Sequence, residues 1–415
     1  MASTSSWRAG YLGDMSVIDT TLTADEQRVA TLADQLIESH PPASTSATDF
    51  LGAQFDLGLA WIQFDEGFGG LGLNPKLQRI VNDRVRQAGG PFSMARNPIG
   101  YGMCGPTVHV WGSEQQKRRY LRPLFTCEEI WCQLFSEPGS GSDFAGLSSR
   151  GVRDGDEWVV NGQKVWTTLA HVSRWGLLVV RTDPEAVKHA GLTAFVVDMH
   201  APTVETRPLR QMTGEAEFNE VYFTDTRIPN DEILGNPGDG WRVSLTTLMN
   251  ERTSIGGSIP RQGSGSIGDL MQVWSGLPAD RKDASARDRI AKLWIRAEVH
   301  RLTNIRANQN RRMGDPGPEG SIGKMESANL NKAIYEEMIG LMGAEGMLYG
   351  SYDMVQPDST LSSSASQKTF LRSRANSIEG GTTEVMLNIL GERVLGLPGD
   401  VRVDRDVPWS AVPRN

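Results

Sequence analysis

The sequence of 415 residues lacks several features that would mark other classes of protein. It has only three cysteines, Cys104, Cys127 and Cys132, at spacings that fit neither a metal site nor a disulfide framework. Such cysteine usage fits a reducing compartment, so we predict a cytoplasmic protein. No run of 18 apolar residues occurs, and residues 1–14 contain no apolar signal core. We therefore expect neither a membrane span nor a secretory signal.

Basic residues are not in excess either, and histidine follows no metal-binding pattern. The net charge is −8 and the pI about 5.4, so nucleic acid and anionic membranes are not expected partners. The six histidines are scattered without an HExxH motif, so no metal is expected. The glycine loop at residues 67–72 follows no predicted strand and is followed by no GK[ST] sequence. A structural loop is therefore favoured over a nucleotide cradle.

What is present is typical of a large globular protein. With 39% hydrophobic and 22% charged residues over this length, two or three subdomains are expected. After a polar arm at residues 1–22, Thr23 and Glu26 form a capping-box pattern that predicts a helix to about Glu38. Residues 23–129 are predicted to form an N-terminal helical domain.

The apolar pattern then changes to that of strands and later returns to that of helices. Runs at residues 177–180, 192–197 and 219–223 predict strands in an antiparallel β-domain over residues 130–238. Helical patterns follow at residues 241–255, 287–308, 321–342 and 366–395, which places a helical bundle at residues 239–400. The predicted fold class is mainly α with an inserted β-domain. Residues 401–415 form a tail without a recognisable motif.

The chain is organised around residues 132–169. A turn-rich segment, SEPGSGSD, occupies residues 136–143, and its glycines, proline and short polar side chains predict a loop shaped for a ligand. Asp154-Gly155-Asp156 then predicts a hairpin turn. The strand that follows from Glu157 is predicted to reach a second turn at Asn161-Gly162, before the sequence KVWTT.

SEPGSGSD followed by NGQKVWTT at this spacing resembles the signature of acyl-CoA dehydrogenases. The resemblance covers about residues 20–400. It implies the acyl-CoA dehydrogenase fold, with an N-terminal helical domain, a middle antiparallel β-domain and a C-terminal four-helix bundle that also builds a tetramer. It further implies FAD as the cofactor, an acyl-CoA as the substrate and an electron-transfer flavoprotein as the acceptor.

The resemblance also assigns roles to residues of the signature. It implies that the loop and the Trp-x-Thr strand grip the flavin, and that Trp166 covers the ring while Thr168 donates a hydrogen bond to N5. Ser142 is expected where the loop meets the pantetheine of the substrate. The implied cofactor-binding residues are Phe135, Ser136, Gly141, Ser142, Trp166, Thr168, Thr382 and Glu384.

Desaturation of a thioester requires a base for the α-proton and hydrogen-bond donors at the thioester oxygen. Many family members carry the base in a Tyr-Glu-Gly-Thr motif, and alignment of the trailing Gly-Thr places that base position on Gly380. Glu379 falls one residue early, which turns its side chain away by about 100° if the segment is helical. Without a side chain, Gly380 leaves room for a branched or bulky acyl group, and its backbone N–H is expected at the thioester oxygen, with the flavin ribityl hydroxyl as second donor.

Glu251 is the predicted base. The isovaleryl-CoA and long-chain branches of the family carry theirs on this helix, in a similar Glu-Arg context. The alternative is that Glu251 pairs with an arginine on a solvated helix face. Arg252 is expected near the CoA or paired with Glu137.

One motif of many members is missing. Their Arg-x-x-Phe-Gly and downstream glutamine, which reach the FAD of a partner subunit, have no counterpart at residues 263–267 or 278–289. Arg281, Arg287 or Arg289 could substitute. Three functions therefore stay open: a dehydrogenase coupled to an electron-transfer flavoprotein, an enzyme for carrier-protein-bound acyl groups or an oxidase using O₂, and a non-catalytic subunit of a heteromeric complex. A homotetramer is expected, with a heterotetramer as the alternative.

Overall fold

The computed structural model describes residues 22–256, 260–313, 317–359 and 365–413, except for the side chains at 251–256 and 311–312. The chain forms two compact units, one ending at Pro91 and the other beginning at Phe92. The predicted domain boundaries near residues 129 and 238 stay predictions. Except for its last residue, the predicted N-terminal arm lies outside the described residues.

The first helix begins at the predicted capping box. The Thr23 hydroxyl accepts from the Glu26 N–H, and the Glu26 carboxylate accepts from the Thr23 N–H at 2.8 Å. Both orphan donors at the helix start are thereby satisfied. The helices of this unit are α1 (Ala24–Ser39), α2 (Ala47–Asp56) and α3 (Gln78–Gln87), with a 3₁₀ turn at Pro75–Leu77.

Backbone groups of residues 60–64 pack against the glycine loop at residues 67–72. The Gly69 carbonyl accepts from the backbone N–H groups of Ala60 and Trp61, both at 3.0 Å. A Cβ on Gly70 would lie 2.1 Å from the Phe64 carbonyl oxygen, which only glycine allows. These contacts agree with the structural interpretation of the loop.

The second unit starts with helices that lead into the sheet. Asn97 joins them, because its amide donates to the Leu124 carbonyl at 2.9 Å and accepts from the Trp131 N–H at 3.1 Å. Trp131 opens the first strand. The helical segments are α4 (Ser93–Arg96), a π-helical turn (Gly100–Cys104), α5 (Gly105–Trp111) and α6 (Glu114–Phe125).

An eight-stranded sheet follows, in the order β6-β7-β3-β2-β4-β5-β8, with β1 paired to β4. Most pairs are antiparallel, as predicted, but β1 runs parallel to β4, and β2 meets β4 in parallel at one residue pair. The strands are β1 (Trp131–Leu134), β2 (Arg150–Asp154), β3 (Glu157–Thr168), β4 (Trp175–Arg181), β5 (Leu192–Asp198), β6 (Val204–Pro208), β7 (Phe218–Pro229) and β8 (Ile233–Leu234).

The strand β3 is longer than predicted. The hairpin at Gly155 is confirmed, but the turn predicted at Asn161-Gly162 is wrong. Asn161 instead bonds across to Asp225 of β7, with its amide donating at 3.0 Å, and the sheet continues through a register shift. A β-bulge accommodates Asn161, at which the strand was predicted to end.

Within the described residues after the sheet, the chain forms six α-helices. Buried side chains of α8, α9 and α10 pack together in one core. The helices are α7 (Gly240–Gly256), α8 (Ser266–Gly276), α9 (Ala284–Met313), α10 (Glu319–Met342), α11 (Ser366–Ser373) and α12 (Thr383–Ile389).

The helical pattern predicted over residues 366–395 is interrupted, so that prediction is wrong in its middle. After α11 come a 3₁₀ turn, Arg374–Ser377, and a loop in which Gly380 and Gly381 have φ of +64° and +95°. Residues with side chains rarely adopt such angles, and two successive left-handed glycines end a helix.

Cys104, Cys127 and Cys132 are buried free thiols. Among the described residues, no helix is both long and apolar enough to cross a bilayer. In the same residues, no three His, Cys, Asp or Glu side chains group so as to hold a metal ion.

Candidate active site

The SEPGSGSD segment forms a loop closed on itself. Glu137 and Ser140 exchange backbone hydrogen bonds at 3.0 Å, and the Ser140 hydroxyl donates to the Asp143 carbonyl. A Cβ on Gly141 would meet no atom within 4 Å, and Ser142 is exposed. Gly141 and Ser142 therefore border open space, as a ligand-binding loop requires.

A buried ion pair locks this loop to strand β3. Lys164, with no exposed surface, donates to the Glu137 carboxylate at 2.8 Å and to the Phe135 carbonyl at 3.1 Å. The other lone pairs of Glu137 accept from the Ser148 N–H at 2.7 Å and the Ser149 N–H at 3.0 Å. A buried charge needs such complete pairing to be tolerated.

The electrostatics of the pair keep Glu137 ionised. Burial alone would raise the pKa of this carboxyl, but the nearby Lys164 ammonium and the hydrogen bonds from Lys164 and the two serines lower the pKa to about 2. Burial lowers the pKa of Lys164, and Glu137 opposes that shift. One charged centre thus holds the start of the loop and the two serines that follow it at residues 148–149.

Strand β3 presents Trp166 outward through a second bulge. The register of β3 against β7 shifts between Lys164 and Thr167, and Trp166 has a left-handed φ of +60°. The residue is 57% exposed, and its indole touches Phe218 edge-on, with ring centroids 5.8 Å apart. Thr168 ends the strand with a half-buried side chain.

The loop begins beside strand β3, at the residue before Trp166. The Val165 N–H donates to the Ser136 carbonyl at 2.9 Å. Two buried polar atoms of these strands, Gln133 Oε1 and Thr167 Oγ1, have no hydrogen-bond partner within the described residues. An exposed indole on a strand that borders the loop is the kind of surface on which a planar cofactor can stack.

The ring of Phe135 has a packing role. It stacks on Phe144 at 4.9 Å, and Phe144 lies 6.0 Å from Trp241, which contacts His189 at 4.5 Å. The aromatic row thus joins the residue after β1, the 3₁₀ turn at Phe144–Gly146 after the loop, the β4–β5 turn and α7. A flavin contact of Phe135 stays a prediction.

Glu379, the disfavoured base, is engaged elsewhere. Its carboxylate accepts hydrogen bonds from both η nitrogens of Arg372, at 3.2 and 2.8 Å, and from the Asn376 side-chain amide at 2.8 Å. The 100° offset inferred from a helix does not apply, because this segment is a loop. The pairing of both carboxylate oxygens with Arg372 is a different reason to disfavour Glu379 as the base.

The Gly380 loop is anchored to α10. Lys324 donates to the carbonyls of Asn376 and Gly381, and Asn331 donates to the Asn376 side chain at 2.9 Å. Thr382 accepts from the Val385 N–H and caps α12. Glu384, exposed in the first turn, suits the positive end of that helix. Their cofactor roles stay predictions.

Glu251 and Arg252 lie on α7, but their side chains fall outside the described residues. The predicted pairing of Arg252 with Glu137 stays a prediction. The oxygens of Glu137 already accept hydrogen bonds from Lys164, Ser148 and Ser149.

The candidate arginines for the missing motif differ in their surroundings. Arg281 donates to the Leu341 carbonyl, and Arg289 pairs with Glu337 at 2.8 Å. Arg287 is exposed, and no side-chain partner is seen for it among the described residues. Of the three, Arg287 is the best placed to reach another molecule.

The sequence-based site missed the Glu137–Lys164 pair and the aromatic row. Lys164 could have been noticed, because strand side chains alternate between the two faces of a sheet. A lysine between Gln163 and Val165 must therefore face either solvent or a buried partner. No local signal pointed to Phe144, Trp241 and His189, since distant segments bring them together.

Known protein families match this chain over most of the described residues. The sequence matches the models of the N-terminal, middle and C-terminal domains of acyl-CoA dehydrogenase at residues 23–128, 132–226 and 238–395. Acyl-CoA dehydrogenase IpdE1 of Mycobacterium tuberculosis is 35% identical over 347 residues, covering 83% of this chain and 86% of that protein. Acyl-CoA dehydrogenase FadE29 of the same organism is 30% identical, covering 87% and 90%.

Solved structures share the fold. The Tcur3481-Tcur3483 steroid ACAD superimposes with a TM-score of 0.68 at 24% identity, covering 92% of this chain and 100% of that chain. The ChsE4-ChsE5 complex of Mycobacterium tuberculosis gives 0.66 at 24% identity, covering 92% and 99%.

Proposed function

Since the chain belongs to the acyl-CoA dehydrogenase family, a family of FAD-binding oxidoreductases, we propose that it desaturates the α,β-bond of an acyl-CoA thioester. The observation that carries the proposal is the loop of residues 136–143, locked by the Glu137–Lys164 pair beside the outward Trp166 and Thr168. Bound FAD would accept the β-hydride. The cofactor-binding residues would be Phe135, Ser136, Gly141, Ser142, Trp166, Thr168 and, at the start of α12, Thr382 and Glu384.

Glu251 would remove the α-proton, and the backbone N–H of Gly380 would donate to the thioester oxygen as negative charge develops there. The engagement of Glu379 by Arg372 and Asn376 supports this choice, because both oxygens of that carboxylate already accept hydrogen bonds within this chain. The position of Glu251 within α7, between apolar residues of the sequence, supports Glu251 as the base as well.

The acyl group would be bulky. Gly380 has no side chain, and its φ of +64° disfavours any residue that has one. A solved neighbour is named a steroid ACAD, which supports a bulky substrate. An electron-transfer flavoprotein is the proposed acceptor, and the three buried free thiols support a cytoplasmic location.

A second candidate is a subunit of a heteromeric dehydrogenase. Two observations favour it: the missing Arg-x-x-Phe-Gly motif, and solved neighbours whose names join two proteins. In such a complex, the partner would complete the far end of the cofactor site. The exposed Arg287 is one residue that this chain could offer in return.

The test is an anaerobic titration of the purified yellow protein with a panel of straight, branched and polycyclic acyl-CoA thioesters. Bleaching of the flavin absorbance is expected, most strongly with the bulky thioesters. Bleaching only by an acyl carrier protein thioester would favour the carrier-protein alternative. A chain that binds no FAD alone, but does so when co-expressed with a second homologous subunit, would favour the heteromer.

A further inference from the structure

The C-terminal tail, which has no motif, returns to the β-domain. The match to the family's C-terminal domain ends at residue 395, so the tail lies outside it. The Trp409 N–H donates to the Ala186 carbonyl at 3.0 Å, the Ser410 N–H donates to the Pro184 carbonyl at 2.9 Å, and Pro408 forms a β-bridge with Val187. The tail is therefore held in register along the turn between β4 and β5.

Lys188 of that turn connects the tail to the SEPGSGSD loop. Its ammonium donates to Asp143 of the loop at 2.7 Å and to Asp404 of the tail at 2.9 Å, and the residue is only 8% exposed. Arg402 donates to Asp404 as well, at 3.2 Å from Nε. One nearly buried cation thus joins an aspartate of each segment.

Arg181 forms a second connection. Its guanidinium, in a residue only 2% exposed, donates to the carbonyls of Ala145, Leu147 and Lys188 at 2.6, 3.2 and 3.1 Å. The indole of Trp409 covers this guanidinium at 4.2 Å. A cation that is stacked and desolvated in this way holds its carbonyl partners more firmly than one open to water.

We propose that residues 402–411, here called the tail strap, position the SEPGSGSD loop for its ligand, with Asp404 and Trp409 as the positioning residues. Asp404 acts through Lys188 on Asp143, at the end of the loop. Trp409 acts through Arg181 on the carbonyls just after it. The inference rests on the proposed function, in which Gly141 and Ser142 of this loop meet the cofactor and the thioester.

The test compares matched variants of the full-length protein. Trp409→Ala removes the ring over Arg181, while Trp409→Phe keeps an aromatic face. Asp404→Asn removes a charge from Lys188, while Asp406→Asn makes the same change at an exposed tail position. Hydrogen–deuterium exchange is measured at the hydrogen-bonded amides of Ser140, Gly146 and Ser148, with and without FAD.

We expect exchange at these amides to be about ten-fold faster in Trp409→Ala and Asp404→Asn, and near wild type in Trp409→Phe and Asp406→Asn. The KM for the acyl-CoA should rise more than kcat falls in the first two variants. Unchanged exchange in both of them would overturn the proposal. Faster exchange across the whole β-sheet as well would also overturn it, because general destabilisation would then explain the result.

The same experiment separates this inference from the proposed function. If no thioester bleaches the wild-type flavin, the proposed function fails, whereas the exchange measurement still decides whether the strap holds the loop. If thioesters bleach the wild type but the exchange is unchanged in the variants, the strap fails alone.

Discussion

Trp166 is held in an unfavourable backbone conformation that gives its side chain an outward position. A non-glycine residue in the left-handed region costs about 1–2 kcal/mol. The bulge between Lys164 and Thr167 imposes this angle, and the residue becomes 57% exposed. Strain of this kind, observed beside a ligand-shaped loop, supports a functional reason for the exposed ring.

Thr168 ends the same strand and is the expected hydrogen-bond donor to flavin N5. Thr168→Val keeps the shape and β-propensity of the residue and removes the hydroxyl. We expect flavin reduction by thioester to slow by about ten-fold or more, in line with the loss of one preorganised donor, with unchanged thermal stability. Stopped-flow absorbance measures this, and reduction at the wild-type rate would contradict the assignment.

Glu251 should be the base. Glu251→Gln keeps the size of the side chain but cannot accept a proton, so we expect flavin reduction to slow by about 10²–10⁴-fold while thioester binding persists. Glu379→Gln is the matched control, and its rate should stay within a few-fold, because Glu379 is paired with Arg372. If the two variants exchanged these results, the base would be Glu379.

At the scale of elements, the Glu137–Lys164 pair fastens a loop to a strand. Removal of either partner alone leaves a buried charge without its counterion, which typically costs 3–5 kcal/mol. Replacement of both, in Glu137→Gln/Lys164→Met, removes the charges together and should cost less. The loop should then be held less firmly, with weaker FAD binding than in the wild type.

The pair also predicts a pH dependence. The folded-state pKa of Glu137 is lowered from 4.5 to about 2, so its stabilisation is present above the unfolded pKa and is lost as the pH falls toward 2. Between roughly pH 6 and pH 3 this loss is about 2 kcal/mol. Urea unfolding measures the free energy of unfolding at each pH. From pH 6 to pH 3, this free energy should fall about 2 kcal/mol less in Glu137→Gln/Lys164→Met than in the wild type. Equal slopes would contradict the role of the pair.

At the scale of the whole molecule, helix α9 carries an apolar stripe. Ile295, Val299 and Leu302 are 61%, 58% and 50% exposed, at a spacing that places them on one face of the helix. Exposed apolar faces of this kind mark interaction surfaces. The stripe supports the expected association of subunits.

We predict a tetramer of this chain or of this chain with a homologous partner. A homotetramer of 45.5 kDa chains would have a mass of about 180 kDa by light scattering. Val299→Asp should weaken the assembly, while Val152→Asp, at an equally exposed valine of β2, should not. A monomer that retains FAD would contradict the prediction.

Much of the fold followed from local patterns. The Thr23–Glu26 capping box predicted the start of α1, the hairpin at Gly155 was found, and the runs in β4, β5 and β7 were identified by their apolar content. Short-range hydrogen bonds and side-chain periodicity determine such features, and both are legible in consecutive residues. The loop and the Trp-x-Thr strand also pointed to the family.

Other features depended on contacts between distant residues. Asn161-Gly162 has the local character of a turn, but its bonds to β7 keep it in the strand. Residues 366–395 have a helical pattern, but Gly380 and Gly381 adopt angles that interrupt it.

The sequence by itself determined the family and most of the helix and strand segments, and it predicted which loop faces a ligand, because these depend on contiguous motifs. Only the tertiary structure decided how that loop is held. Lys164 is 27 residues from Glu137, and Asp404 is 216 residues from Lys188, yet each pair is within hydrogen-bond distance. Each pair forms because folding brings distant opposite charges together, and the residues next to a charge do not specify its partner.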